Sequence, residues 1–580
     1  MAEPAFVSSP GARPLSELLT AVEPLDLDER RELVRAAQVL IEQLYVHLPL
    51  KRAMHAVDPV QRLRLLDRRL AGISERRFHD ELLSIFTTLR DLHTNYVLPQ
   101  PFAGMTAVLP FRIENYWDGD VQRYVVTGVT DATDAPPFGV GVDVTHWNGI
   151  PIERAVALNG ERNAGSNIDA RLARGLASLT QRPIGRLAAP DEEWVDVTFV
   201  ADGTTHEQRF LWQVMQPPPS PAGDAPSQLT DPLGGAHGID VLVEEIRRVQ
   251  KLLFAPEAMA VERRAADPAA PPPDLQTIST LPHALEFRTV AAPQGDVGYL
   301  RIRTFRPGAP LAAWVDEVMR ILALLPQEGL IIDVRGNGGG TIPAGEWLLQ
   351  LLTPRRIEPE RLHFISTPLT LKFTSLPGSF LAPWSRSIAE SVETGAMFSA
   401  GLPISPEYPD LCNRVGQVYH GPAVLITDAL CYSTTDIFAA GFQDHEIGPV
   451  IGTSANTGAG GANVWEYAEL LEAMPGELRP LPAGASMRVA MRRCVRVGKR
   501  AGDLLEDLGV ASDRIHRMTR RDVLEDNVDL ITAAAQALTD RPPRAFTAQV
   551  TPADGGVDLL LRTTGLDLSL IHISEPTRPY

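Results

Sequence analysis

The chain has 580 residues, 44% of them apolar and 22% charged, with a formal net charge of −18: the composition of a soluble globular protein with room for roughly three to four units rather than one core. So acidic a balance excludes nucleic acid as a partner, because a polyanion needs a positive footprint. The three cysteines, Cys412, Cys431 and Cys494, fit neither a disulfide framework nor a zinc spacing, and the absence of a membrane-length apolar run or a leader-like N-terminus leads us to expect a cytoplasmic protein.

From Leu15 to about Arg90, LDLDERRELVRAAQVLIEQLYVHL and FHDELLSIFTTLRDL place apolar residues three and four apart, which predicts a helical N-terminal cap over residues 1–98. The second helix runs into DLHTNY and puts His93 at its end. A histidine there has two readings, a cation facing the helix dipole or a functional base. Residues 99–215 turn strand-like, with VQRYVVTGV, DVTHWNGIPI and EEWVDVTFVAD between Gly, Pro and Asp turns. Within them FGVGVDVTHWNGIPIERAV resembles the hairpin and helix of PDZ modules, which bind chain ends by adding a strand to a sheet edge. Residues 216–283 read as Pro- and Ala-rich linkers around one inserted helix, GIDVLVEEIRRVQKLLF.

Over 284–540 strands and helices alternate: GDVGYLRIRTF, APLAAWVDEVMRILALL, GLIIDVRGNGGG and AGEWLLQLL predict an α/β core with a sheet packed on helices. Residues 541–580 form a tail, and from about 568 LSLIHISEPTR looks identical to a translated sequencing adaptor, so it is excluded from the fold. In the core, the run Val424 to Ile426 leads through a short tight segment to Ser433, after which Ile437, Phe438 and Phe442 recur at helical spacing. A serine at a helix start can cap it, or it can be a nucleophile beside oriented backbone N–H donors. Cys431, on the strand side of the same turn, reads as a small buried hydrophobe. The glycines of DVRGNGGG let the backbone approach a ligand closely, but the loop lacks the Gly-Lys-Ser/Thr of a phosphate loop and fits the dinucleotide fingerprint poorly.

LRIRTF, GLIIDVRGNGGG, YSTTDIF and VIGTSANTGAGG, in that order and spacing, resemble the catalytic core of the C-terminal-processing serine peptidases. The resemblance implies an α/β peptidase core of the crotonase/Clp-like kind, with Ser433 as nucleophile and oxyanion donors in the N–H of Thr434 and of Gly338 or Gly339. Members with a serine–lysine pair carry lysine in T-x-G-K-G, where this chain reads NTGAG with Ala459 in its place. The tricorn-core and chlamydial-type members instead use a histidine from the cap and a glutamate after the core. DLHTNY and LLEDLGVASD resemble those two segments and assign His93 as base and Glu506 as the carboxylate orienting it, with Asp507 as its neighbouring alternative. Asp436 reads as a structural acid in the first turn of the nucleophile helix.

These readings converge on a serine endopeptidase acting on peptide or unfolded-protein substrates, with no cofactor, metal, nucleic acid or membrane segment required. Two alternatives keep the same fold: an inactive peptide-binding protein, and an esterase or amidase using the same triad.

Overall fold

The computed structural model of the chain describes residues 7–564, apart from 8–10, 21–23, 131–132, 134–135, 224–225, 268, 270–273, 293–294, 541–544 and 554–555. The adaptor-like segment lies outside the described residues.

The core is a six-stranded sheet in the order Leu285–Val290, Val297–Ile302, Leu330–Asp333, Ala423–Thr427, Val450–Gly452 and Arg514–Ile515. The first pair is antiparallel and every later pair parallel, as helical crossovers require. Both faces are covered, which is why these strands read as continuous apolar runs. Val297, Tyr299, Ile331, Val424 and Ile426 pack on the helix Val528–Thr539. The residues between them, among them Leu300, Ile302, Ile332 and Leu425, face the helices Leu311–Leu324, Ile342–Leu349 and Thr434–Asp444. The C-terminal ends of the two central strands feed the glycine loop and the Ser433 turn, so the two segments meet where parallel sheets place their ligands.

Residues 99–215 contain a five-stranded antiparallel path, 204–211, 194–201, 143–147, 121–129 and 111–118, closed by the helices Ile152–Gly160 and Ile168–Thr180. A second core of Phe111, Phe138, Phe199, Phe210 and Trp212 fills it.

The N-terminal segment is helical, but the run expected as one helix is broken. Leu27–Val39 continues into a wider turn at Leu40–Leu44 before a new helix, Leu48–His55. After Pro59–Asp67, the helix Glu75–Thr87 ends at Thr87, and Arg90 takes a left-handed φ of 55°. His93 therefore lies not on a helix end but in the turn before the strand Asn95–Val97, which pairs antiparallel with the core strand Ser486–Val495. This pairing docks the N-terminal segment on the core.

The stretch 216–283 differs most from its sequence reading. His237–Ile239 is a strand, and two helices follow, Val241–Phe254 and Pro256–Ala266. Asp240 caps the first of them, its side chain accepting from the Val243 N–H, so the helix starts later than its apolar pattern does. In the tail, Ala545–Ala553 and Gly556–Thr564 pair as a hairpin. No helix among the described residues is long and apolar enough to cross a membrane.

Candidate active site

Between the strand Ala423–Thr427 and the helix Thr434–Asp444 the chain turns around Asp428, whose Oδ1 accepts from the N–H groups of Leu430 at 3.0 Å, Cys431 at 2.9 Å and Gly336 at 2.9 Å. Ser433 closes the turn at φ 62° and ψ −118°, a region costly for any residue with a β-carbon. Such a turn projects the side chain away from both strand and helix. Asp436 holds the conformation: Oδ2 accepts from the N–H of Ser433 and of Gly460, both at 2.8 Å, and Oδ1 from Thr457 Oγ1 and the Ala459 N–H. Burial pushes its carboxyl up to about 7 against those donors. Cys431 donates to the Val334 carbonyl, and burial keeps its thiol protonated.

Ser433 Oγ lies 2.7 Å from His93 Nε2, across 340 residues of sequence. Both are fully buried, and the His93 ring is tilted against that of Tyr432 at 4.6 Å between centroids. Burial holds the imidazole well below its ordinary pKa, and Arg488, His237, Lys51 and Arg174 push the same way, so the ring stays neutral. With Nε2 facing the hydroxyl, the ring proton belongs on Nδ1.

The glycine loop is braced from below by Asp333, which the Tyr299 hydroxyl and the guanidinium groups of Arg301 and Arg335 hold. Among the described residues the N–H groups of Gly338 and Thr434 have no hydrogen-bond partner, whereas the Gly339 N–H donates to Asn337 Oδ1 at 2.9 Å. Gly339 serves by its size: at φ 104°, a β-carbon there would sit 2.8 Å from the Tyr432 carbonyl and 2.9 Å from Ser433 Cβ. Ala459, at the position of the lysine in serine–lysine pairs, is fully buried at φ 66°.

A strand of the chain itself lies across this site. His237–Ile239 pairs antiparallel with Gly339–Thr341, with Gly238 opposite Gly340. On its other side Asn463 Nδ2 donates to the His237 carbonyl and Arg488 Nη1 to that of Ile239. Asp240 anchors its end, accepting from Arg174 Nε at 2.9 Å. A β-carbon built on Gly238 would fall 2.1 Å from Ser433 Oγ, 2.5 Å from the Ala462 carbonyl and 3.1 Å from His93 Nε2. Only glycine passes so close to Ser433 and His93.

Behind the His93 ring is a buried polar cluster. Lys51 Nζ donates to Glu506 Oε1 at 2.5 Å, Asp507 Oδ1 at 2.8 Å and the Arg90 carbonyl at 3.0 Å. Burial alone would lower the lysine, but the two carboxylates outweigh it and raise it. Glu506 is raised well above the usual range by burial and by Asp91, with Lys51 opposing. His55 Nε2 is 3.0 Å from Asp507 Oδ1. His47, Asp91 and Glu506 each offer a donor atom within 4.8 Å of one another, a set that could hold a metal ion. The Lys51 ammonium already supplies positive charge at Glu506 and repels a second cation.

Of the residues the sequence assigns, the structure brings Ser433, Thr434, Gly338, Gly339 and His93 into one place, and it puts Glu506, read as the carboxylate orienting His93, and its alternative Asp507 on Lys51 in the cluster behind the ring. The sequence reading passed over Lys51, Asp91, Tyr432 and Gly238. Asp91 and Tyr432 each adjoin a motif residue and could have been read with it. Lys51 is one basic residue on an amphipathic helix, and nothing local marks it.

Residues 296–473 match the model of Peptidase family S41. No curated protein matches the chain. Among solved structures, mature CPAF is 16% identical with a TM-score of 0.61, covering 92% of this chain and 99% of that one. Mature CPAF complexed with lactacystin gives 16% and 0.60, covering 89% and 99%. Identity at that level speaks for a shared fold. The family match falls on the segment that carries the glycine loop and Ser433, so this part of the chain is similar to the serine peptidases of family S41.

Proposed function

We propose that the protein is a serine endopeptidase acting on extended peptide or unfolded-protein chains in the cytoplasm, with His93 as general base and Ser433 as nucleophile. The observation that carries this is the 2.7 Å approach of His93 Nε2 to Ser433 Oγ, a nucleophile and base delivered from opposite ends of the chain. His93 takes the Ser433 proton as Oγ attacks the scissile carbonyl, the developing oxyanion meets the N–H groups of Thr434 and Gly338, and the imidazolium returns the proton to the leaving amine. Water then repeats the sequence on the acyl-enzyme. Glu506 belongs to the carboxylate cluster that supports the imidazolium. The strand 237–239 supports an extended peptide as substrate, since it lies in the groove as one would, adding to the edge of 339–341. As folded, that strand and a substrate occupy the same space, so a substrate enters only when it lifts. The β-rich module of 99–215, with its PDZ-like hairpin, is the candidate holder of a substrate end.

A fluorophosphonate probe tests the reading. Label confined to Ser433 and lost in Ser433→Ala is expected; a folded protein that stays unlabelled between about pH 6 and 8, where His93 is neutral, and stays so after Gly238→Val displaces the covering strand, refutes it. Comparing turnover of small esters with that of unfolded protein separates the endopeptidase from an esterase.

A further inference from the structure

Asp91 stands two residues before His93 and is fully buried. Its Oδ1 accepts from the His93 backbone N–H at 2.7 Å and from the Tyr432 hydroxyl at 3.2 Å, and its Oδ2 accepts from Thr94 Oγ1 at 3.2 Å. The Tyr432 hydroxyl in turn accepts from the Leu92 N–H at 3.1 Å, and Thr94 Oγ1 accepts from the Ala490 N–H at 3.1 Å. The carboxylate is therefore fixed from three elements: its own turn, the nucleophile turn and the core strand 486–495. Its Oδ1 lies 3.7 Å from His93 Nδ1, and among the described residues no other carboxylate comes within 4.0 Å of either ring nitrogen. His93 Nδ1 is buried with no hydrogen-bond partner. A buried, unpartnered ring nitrogen this close to a fixed carboxylate gains a charge-assisted hydrogen bond from a shift of under about 1 Å, the looseness common in unliganded sites. Glu506 is otherwise engaged, with Oε1 on Lys51 and Oε2 accepting from the Gly461 N–H.

We infer that Asp91 is the carboxylate that positions the His93 ring, fixing the tautomer with the proton on Nδ1 and facing the imidazolium when it forms, while Glu506 acts at one remove through Lys51. This rests on the proposed roles of Ser433 and His93. The charged and titratable groups facing His93 are Asp91 from its own turn, Tyr432 from the nucleophile turn, His47 and Lys51 from the N-terminal segment, Arg174 from the β-rich module, His237 from the covering strand and Arg488 from the core strand. Asp91 is the one anion among them, so its removal leaves an excess of positive charge around the ring.

The test is the second-order rate of fluorophosphonate labelling of Ser433 across pH in the full chain, for the parent, Asp91→Asn and Glu506→Gln. Asparagine keeps an acceptor for the His93 backbone N–H but loses the charge. Asp91→Asn is expected to slow labelling by roughly a thousandfold and to move the acid limb to lower pH, because an imidazolium without its anion loses its proton more readily. Glu506→Gln is expected to lose roughly tenfold with its acid limb in place. A loss in Glu506→Gln larger than in Asp91→Asn, or an unmoved limb in Asp91→Asn, overturns the inference. Should Asp91→Asn fail to fold, Glu506→Gln decides alone: a loss beyond roughly a hundredfold places the positioning carboxylate at Glu506, and a smaller one upholds Asp91. A chain that takes no label even when Gly238→Val displaces the covering strand refutes the peptidase reading itself, a different outcome from either.

Discussion

The two halves of the proposed catalytic pair are held by different physics. Ser433 is placed by backbone: a strand end, a positive φ, and glycines that let the facing loop close to van der Waals distance. His93 is placed by side chains, in a turn whose neighbours are Asp91, Tyr432, Thr94 and the Lys51 cluster. Backbone geometry fails all at once when a β-carbon is added in the wrong place, because the facing groups are themselves main chain. A polar cluster degrades stepwise, each lost partner leaving the others in place at about 1–3 kcal/mol. The serine side should therefore respond to size and the histidine side to charge.

The largest expected effect comes from removing the base. His93→Ala should lower peptide turnover roughly ten-thousandfold, leaving only oxyanion and binding contributions. Adding Ala459→Lys should restore nothing, since position 459 is fully buried at a positive φ, where a long side chain is strained and nothing aims its amine at Ser433. Recovery in the double variant would show that the backbone half can supply its own base. Next comes a single methyl group: Gly339→Ala should cost about a hundredfold in turnover and lower the melting temperature, because it meets the Tyr432 carbonyl and Ser433 Cβ at under 3 Å. Unchanged kinetics would mean that the loop relaxes freely and that size is not what governs this half. A third change has the opposite sign. Gly238→Val places atoms against Ser433 Oγ and should push the covering strand off, raising the labelling rate by about tenfold, the equivalent of roughly 1.4 kcal/mol; slower labelling would show that the strand does not guard the serine. The smallest effect is a shift in pH. Because the His93 pKa is lowered, the base remains unprotonated as pH falls through the ordinary histidine range, so the acid limb of kcat/KM should lie below about pH 6.5. A limb at or above that value would mean that the ring is better solvated than its burial implies.

The serine half was legible in the sequence because its geometry is written locally. GLIIDVRGNGGG and the run into YSTTDIF carry their glycines, turn residues and apolar periodicity within a dozen positions each. The core sheet and the strands of the β-rich module were legible for the same reason, apolar runs bounded by turn residues. The histidine half was legible only through resemblance. Its partners come from positions 51, 91, 432 and 506, and no local pattern joins a lysine on one helix to a carboxylate more than four hundred residues later. Gly238 and Ile239 of the strand 237–239 were misread as the start of a helix because they sit beside a strongly amphipathic run, and what fixes them as a strand is pairing with Gly339–Thr341, a contact remote in sequence.

That strand has a consequence in terms of concentration. Because it belongs to the same chain as the groove, it competes with incoming peptide at an effective concentration in the millimolar range, set by the connections at its two ends rather than by how much protein is present. A free peptide of ordinary micromolar affinity is outcompeted while both connections are intact. One backbone cut between residues 216 and 236 leaves the strand tied only through Asp240 and the helix after it, and a second cut beyond Phe254 leaves it a dilute ligand whose occupancy falls with every fold of dilution. The same groove would thus change from closed to open with no change in any residue that lines it, and a dilution series of nicked protein, followed by the rate at which Ser433 takes label, would measure how far the tether alone keeps it shut.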